Sequence, residues 1–289
     1  MATMKTLNGY GFNATELNGI AASGYLQKTD TAADSSKLGG QLPAFYATAV
    51  EVAPLLYNNA GAHNAIYRGK ELGNAVTDAQ WAAIADGTFD DLYIGDYWTI
   101  GGVNWRIAAF DYYLTTGDKA CNTHHVVIVP DTMLYRHKMN DSNVTTGGYV
   151  GSMMYTTGLA EAKTTINNAF GSAHILTHRQ ILCNAVTNGK PSGESWYDST
   201  VELMTEQNVY GGRAFGAVND GSKVPTLRTV DKSQYPLFAF RPDLISIPNW
   251  FWLRDVASGS SFARVAADGT TAWVYASDPT GVRPAFSIC

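Results

Sequence analysis

The chain has 289 residues, of which 20 are Lys or Arg and 25 are Asp or Glu, so its formal net charge is −5. Because a nucleic-acid-binding surface must be basic to neutralise phosphates, nucleic acid is not expected as a partner. Charged residues make up only 16% of the chain, aromatic residues 12%, and glycines number 28. This composition argues against an all-helical or disordered protein and predicts one or two folded domains.

Cysteine usage and hydropathy argue against two further classes of protein. The cysteines, Cys121, Cys183 and Cys289, are odd in number and far apart. This spacing predicts free thiols in a protein made in a reducing cytoplasm, and no disulfide framework or zinc site. No secretory leader is expected, because residues 1–28 are polar and rich in glycine and asparagine, and the most apolar stretch, residues 235–253, contains charged residues and prolines. No membrane insertion is therefore expected.

Residues 1–65 differ in amino-acid composition from the rest of the chain. Small and polar residues surround isolated leucines at Leu7, Leu17, Leu38 and Leu42. No run in this segment could close a hydrophobic core within one chain, but several copies could pool one apolar stripe each. We therefore expect an extended N-terminal attachment segment that oligomerises, as a homotrimer, followed by a folded domain over residues 66–289.

The first half of the folded domain carries clear local signals. Thr77 is the expected N-cap of a helix that ends at Gly87. Alternating apolar residues on both sides of Gly101-Gly102 predict a β-hairpin over residues 90–107. Residues 125–130 are continuously apolar after the first histidine, which predicts a buried strand.

The second half mixes clear and ambiguous signals. Residues 158–170 have helical spacing, residues 177–186 are predicted as a short helix, and residues 196–210 fit either a strand or a helix. Residues 250–255 predict a strand, residues 261–276 a hairpin about Asp268-Gly269, and residues 281–288 a closing strand. Strands thus open and close the domain, which predicts an α+β fold with these strands near each other.

Two segments resemble virion proteins of bacteriophages. Residues 33–46, which read Ala-Asp-Ser-Ser-Lys-Leu-Gly-Gly-Gln-Leu-Pro-Ala-Phe-Tyr, resemble a small-residue motif of tail-fibre and virion-appendage proteins. Residues 252–254, the Asp268-Gly269 hairpin and residues 281–286 resemble the end of C-type-lectin-like domains in phage and gut-bacterial proteins. Some relatives are diversified by retroelements in this stretch. Residues 93–98 and 105–106 fit the opening hairpin of the same group.

The resemblance implies a C-type-lectin-like domain over residues 66–289 and a function in host attachment. The chain would be a tail-fibre or head-fibre protein on the virion surface, made in the cytoplasm of the host bacterium. Its partners would be a bacterial cell-surface receptor, either glycan or protein, and other virion proteins through the N-terminal segment. The alternatives are a structural or decoration protein of the virion without receptor activity, and an enzyme built on the same fold.

No motif supports catalysis, a metal ion or a cofactor. The Gly-Phe-Arg-Cys motif of formylglycine-generating enzymes, which share the fold, is replaced by Gly-Val-Arg-Pro at residues 281–284. The calcium motifs of sugar-binding C-type lectins are missing as well. Adjacent His124 and His125 would point to opposite faces of a strand, and the pair His174 and His178 lacks the glutamate of a metalloprotease. We expect structural roles for these histidines.

Aromatic residues concentrate in residues 249–280, where the receptor surface is predicted. In a strand, Trp273 and Tyr275 share one face while Ala272 and Val274 take the other, and the smaller pair suits packing. Trp273 and Tyr275 are therefore expected to point outward, whereas Trp250 and Trp252 could instead be core residues. The predicted receptor-binding residues are Asn249, Trp250, Trp252, Arg254, Ser260, Phe262, Arg264, Trp273, Tyr275 and Asp278.

Overall fold

The computed structural model describes residues 58–215 and 233–289, and the backbone of two short N-terminal strands. These strands, β1 (Glu16–Leu17) and β2 (Ile20–Ala21), pair antiparallel. The chain divides into two compact units, Met1–Ala53 and Pro54–Cys289. The trimerisation predicted for residues 1–65, and the resemblance over residues 33–46, lie almost wholly outside the described residues and stay predictions.

The second unit begins earlier than the expected boundary at residue 66. Helix α1 (Ala60–His63) ends on a buried histidine whose ring stacks on Tyr93, with 4.8 Å between ring centroids. Asn64 exchanges two hydrogen bonds of 2.8 Å with the backbone N–H and C=O of Phe110. These contacts make residues 60–64 part of the folded unit.

Within the described residues this unit combines helices with two five-stranded sheets and a separate strand pair, so the α+β prediction is confirmed. The strands are β3 (Tyr97–Ile100), β4 (Val103–Phe110), β5 (Val126–Pro130), β6 (Tyr135–His137), β7 (His178–Thr187), β8 (Lys190–Ser199), β9 (Val201–Leu203), β10 (Phe251–Val256), β11 (Ser261–Val265), β12 (Thr271–Tyr275), β13 (Thr280–Val282) and β14 (Pro284–Ile288). The helices after α1 are α2 (Asp78–Ala85), α3 (Ala160–Phe170), α4 (Glu206–Tyr210) and α5 (Pro236–Phe240), with shorter turns of helix at Met154–Gly158, Ser172–His174 and Pro242–Leu244. None of the helices in the described ranges is long and apolar enough to cross a lipid bilayer.

The first sheet has the strand order β3-β4-β5-β14-β9 and the second has the order β12-β11-β10-β13-β6. In the first sheet, Phe286 on the closing strand pairs with Ile128 on one side and with Val201 on the other. The opening hairpin therefore shares a sheet with the closing strand, as the sequence predicted. Trp105 and Phe286 pack edge to face at 5.6 Å and are buried, which places the aromatic core on this sheet.

Local signals in the first half are confirmed with one shift of boundary. Thr77 and Gln80 form a capping box at the start of α2. Gly101 and Gly102 both hold positive φ between β3 and β4, as the tight hairpin turn requires. β3 starts at Tyr97 and not at residue 90, because the backbone turns through positive φ at Gly95 and at non-glycine residues before it.

The helix predicted over residues 177–186 is wrong, because this segment forms strand β7, paired antiparallel with β8. His178, Gln180 and Leu182 are buried and alternate with more accessible neighbours. That period of two is the signature of a strand with one covered face. Residues 196–210, left open between strand and helix, contain both: the end of β8, then β9, then α4.

Candidate binding surface

The C-terminal hairpin forms one edge of the second sheet. β11 and β12 pair with Ala263 opposite Trp273 and with Arg264 opposite Ala272. The turn between them is stabilised by the Asp268 carboxylate, which accepts hydrogen bonds from the N–H and the hydroxyl of Thr270 at 3.0 and 2.7 Å. The predicted hairpin is thus confirmed, and β12 is the outermost strand of its sheet.

Trp273 and Tyr275 project from β12 into solvent, as predicted. They are 48% and 46% exposed, and their rings meet edge to face with 5.8 Å between centroids. Their partners on β11, Ala263 and Ser261, are almost completely buried. The protein layer that covers β11 therefore stops short of the edge strand and leaves the two aromatic rings uncovered.

Register separates the predicted residues into two groups. Residues directly opposite each other in antiparallel strands share a face, and successive residues alternate. Trp273 therefore lies on the face of Ala263, whereas Arg264 lies on the opposite face together with Phe262 and Ala272. The hairpin carries its two exposed aromatics on one face and its arginine on the other.

Three predicted receptor-binding residues are buried, so their assignment to the receptor surface is wrong. Trp252 and Phe262 have no exposed surface, and Arg254 is 7% exposed. The Trp252 indole N–H donates to the carbonyl of His137, and the Arg254 guanidinium donates to the Gln180 side chain. Residues on both faces of β10 are buried, and its two edges are paired with β11 and β13, so Trp252 is a core residue and cannot contact a receptor.

Trp250, in contrast, is 48% exposed and carries Arg264 against its ring. The guanidinium carbon lies 3.5 Å from the ring centroid, which is a close cation–π contact. Nε and Nη1 of Arg264 are buried and have no hydrogen-bond partner among the described residues. Burial lowers the pKa of Arg264, and the nearby negative charge of Asp278 opposes that effect in part.

The remaining predicted residues lie around this pair or the adjacent loop. Asn249 accepts a hydrogen bond of 3.0 Å from Nη2 of Arg136. Ser260 lies beside Ser258, and the N–H of Asp278 donates to the carbonyl of Tyr275. Sequence analysis missed Arg136, which reaches the surface because β6 pairs with β13 far along the chain.

A buried polar cluster, which the sequence did not predict, joins β7 to β10 through Gln180 and Arg254. The Gln180 side chain accepts from Arg254, and its amide N–H groups donate to Tyr113 at 3.2 Å and to Nε2 of His178 at 2.7 Å. Burial, and then the electrostatic effects of His125 and Arg254, lower the pKa of His178 to about 3. In the sequence, this cluster is indicated only by His178 and Gln180, the polar residues at buried positions of β7.

A pocket opens next to this cluster, lined among others by Tyr149, Arg213, Arg254 and Asp255. Asp255 keeps a part of its surface accessible, but the protein packed around its carboxyl group raises its pKa to about 6. The carboxylate accepts a hydrogen bond of 2.6 Å from the N–H of Glu206. This N–H is at the start of α4, so the bond joins that helix to β10.

Each predicted histidine pair makes structural contacts. His124 lies 2.7 Å from the Asp111 carboxylate, whereas His125 is buried and its Nε2 accepts from the N–H of Tyr113. His174 stacks on Trp81 with 3.9 Å between ring centroids. Nowhere in residues 58–215 and 233–289 do three His, Cys, Asp or Glu side chains form a group that could hold a metal ion.

Comparison of the chain with protein-family models, with curated proteins and with solved structures found no match.

Proposed function

We propose that the chain is a bacteriophage fibre or receptor-binding protein whose C-terminal hairpin attaches the virion to the bacterial surface. The observation that carries this proposal is the position of the exposed aromatic side chains. Among the described residues, the large hydrophobic side chains that are exposed include Trp250, Trp273 and Tyr275, all within residues 249–280. Tryptophan and tyrosine are the residues most often found as energetic anchors of binding surfaces.

The support under these rings suits a binding role. Ala263 and Val265 of β11 are buried, and β11 is paired on both sides. A surface carried on a rigid sheet loses little conformational entropy on binding. Because β12 lies at the edge, its outward side chains contribute little to the core, so substitutions there would alter binding more than folding.

The proposed domain is of the C-type-lectin-like type, behind an N-terminal segment that holds the chain to other virion proteins as a homotrimer. The pairing of β14 in the sheet of the opening hairpin supports this domain type, which the residues of both segments resemble. Several copies on one particle would raise the avidity of a weak single contact.

The exposed rings of Trp250, Trp273 and Tyr275 are also compatible with an alternative function, that of a virion decoration protein without receptor activity. Exposed aromatic side chains are also what an interface between neighbouring virion subunits would bury. An enzyme built on this fold is a third possibility, for which the polar pocket beside Asp255 is the place to look. A decoration protein without receptor activity is not expected to bind intact cells, so whole-cell binding separates the first alternative from the proposal.

Binding of the purified full chain to a panel of intact gut bacteria tests the proposal. We expect at least one strain to bind the wild-type chain and to bind the Trp273→Ala chain at least about tenfold more weakly. The matched control is Phe240→Ala, since Phe240 is also exposed, at 44%, but lies outside the hairpin. A chain that binds no cell, or that loses binding equally in both variants, would contradict the proposal.

A further inference from the structure

We infer that Arg264 and Trp250, with Asn249 and Arg136 beside them, form a subsite for a sugar that carries a single carboxylate. The inference rests on the proposed receptor function and specifies the chemistry of the receptor. It concerns the face of the hairpin opposite Trp273 and Tyr275, so it can be tested separately from those two rings.

The positively charged side chain of Arg264 is the reason to expect an anionic ligand at this subsite. Its Nε and Nη1 atoms are buried without a hydrogen-bond acceptor among the described residues, while the side chain as a whole is only partly covered. A cation that has lost water without gaining an acceptor is costly to keep. Nη2 is not among these buried atoms, and a carboxylate that accepts from it would bring a negative charge to the guanidinium through a charge-assisted hydrogen bond, which is among the strongest in proteins.

Trp250 and Asn249 could bind a sugar ring, the first by apolar contact and the second by a hydrogen bond. One side of the indole lies against Arg264, yet Trp250 remains 48% exposed and offers apolar surface to the C–H face of a pyranose. Asn249 uses its carbonyl oxygen to accept from Arg136, which leaves its amide nitrogen as a donor for a sugar hydroxyl. Arg136 is exposed and adds positive charge at the same edge.

The surrounding charge favours one carboxylate over a phosphate or a dense polyanion. Asp278 lies close enough to Arg264 to act on it electrostatically, so one negative charge is already present at the subsite. The whole chain carries a net charge of −5. A doubly charged phosphate or a string of phosphates would be repelled by both, whereas a single carboxylate matches the guanidinium.

The test measures binding of the full chain to three pairs of oligosaccharides by calorimetry. The acidic members are oligosaccharides that contain one residue of glucuronic acid, galacturonic acid or N-acetylneuraminic acid, and each neutral member is the same oligosaccharide with that carboxyl group reduced. We expect the acidic member of at least one pair to bind at least about tenfold tighter than its neutral partner. Inorganic phosphate at equal concentration should not displace it.

Variants assign that preference to the subsite. Arg264→Gln should abolish the preference for the acid, and Trp250→Ala should weaken binding of both members of the pair. Asp278→Asn should strengthen binding of the acidic member, because it removes the competing charge, and a merely structural role of these residues would not produce that gain. Trp273→Ala, on the opposite face, should leave the preference unchanged.

Several results would overturn the inference: no binding of any acidic oligomer, equal binding of both members of every pair, or an unchanged preference in Arg264→Gln. If Arg264→Gln fails to fold, an unchanged affinity of Asp278→Asn for the acid decides against it. Whole-cell binding shows whether only the carboxylate subsite is wrong or whether the proposed receptor function is wrong as well. If Arg264→Gln binds cells like the wild type while Trp273→Ala does not, the receptor function stands and the carboxylate subsite does not.

Discussion

Trp273 and Tyr275 meet edge to face at 5.8 Å on the outermost strand of their sheet, and each keeps nearly half of its surface in solvent. Because neither ring fills the core, we expect Trp273→Ala and Tyr275→Ala to change the melting temperature of the chain by only a few degrees. Each should lower the affinity for a bacterial surface at least about tenfold. Thermal denaturation and cell-binding isotherms of the same preparations check this pair of outcomes. A variant that unfolds would place its ring in a structural role.

Truncation of Phe286 should have the opposite profile. Phe286 is 2% exposed, packs against Trp105 and Phe170, and pairs with strands on both sides. Phe286→Ala would leave a cavity in the aromatic core and is expected to cost about 3–5 kcal/mol of unfolding free energy. Urea denaturation followed by tryptophan fluorescence measures the loss. A cost below about 1 kcal/mol would contradict the packing described for this sheet.

Acid should destabilise the fold through His178. Its pKa is about 3 in the folded chain and near the ordinary 6.5 in the unfolded chain. Between these values only the unfolded chain binds the proton, so the free energy of unfolding falls as the pH drops from 6.5 towards 3. His178→Phe keeps a ring against Tyr113 but cannot titrate, and its melting temperature should depend less on pH in this window. A melting temperature of His178→Phe that depends on pH as strongly as that of the wild type in this window would contradict the assignment.

Asp255 should affect the pH dependence of stability in the opposite direction to His178, because its contribution falls as the pH rises. Its pKa is raised from 3.8 to about 6, chiefly by burial. Between pH 3.8 and 6 the folded chain binds a proton that the unfolded chain does not, so the stability contributed by this group falls as the pH rises. Asp255→Asn keeps an oxygen for the N–H of Glu206 and should be more stable than the wild type at pH 7.5, by up to about 3 kcal/mol. The gain should vanish at pH 4, and an equal gain at both pH values would contradict this assignment.

Oligomerisation of the N-terminal segment is checked on the full chain by light scattering. We expect the mass of a trimer, because the isolated leucines of residues 1–65 can form a core only when several copies combine. A chain shortened to residues 54–289 should have the mass of a monomer. A monomeric full chain would contradict the prediction.

Sequence patterns predicted the elements whose signals are local. The capping box at Thr77 and the turns at Gly101-Gly102 and Asp268-Gly269 each depend on residues within four positions of one another. Strand β7 was missed because its buried face carries His178 and Gln180, polar residues that obscure a period of two. They are buried there because Tyr113 and Arg254, distant in sequence, supply their hydrogen-bond partners or their charge environment.

The candidate surface was predicted in part, for a related reason. Alternation within β12 is a local property, and it predicted the outward direction of Trp273 and Tyr275. Trp252 was assigned to the surface because alternation cannot reveal that β10 is covered on both faces. Arg136 joins Asn249 only through the pairing of β6 with β13, which no local pattern encodes.

The position of β14 inside the first sheet has a consequence for how the protein is made. Phe286 pairs with Ile128, 158 residues earlier in the chain, and with Val201 on its other side. During synthesis, β5 and β9 therefore remain without their shared partner until residues 284–288 have left the ribosome. Closure over such a sequence separation is slow, and open strand edges attract other chains in the meantime. The yield of soluble protein should therefore depend more on the speed and temperature of expression than the stability of the finished fold would suggest.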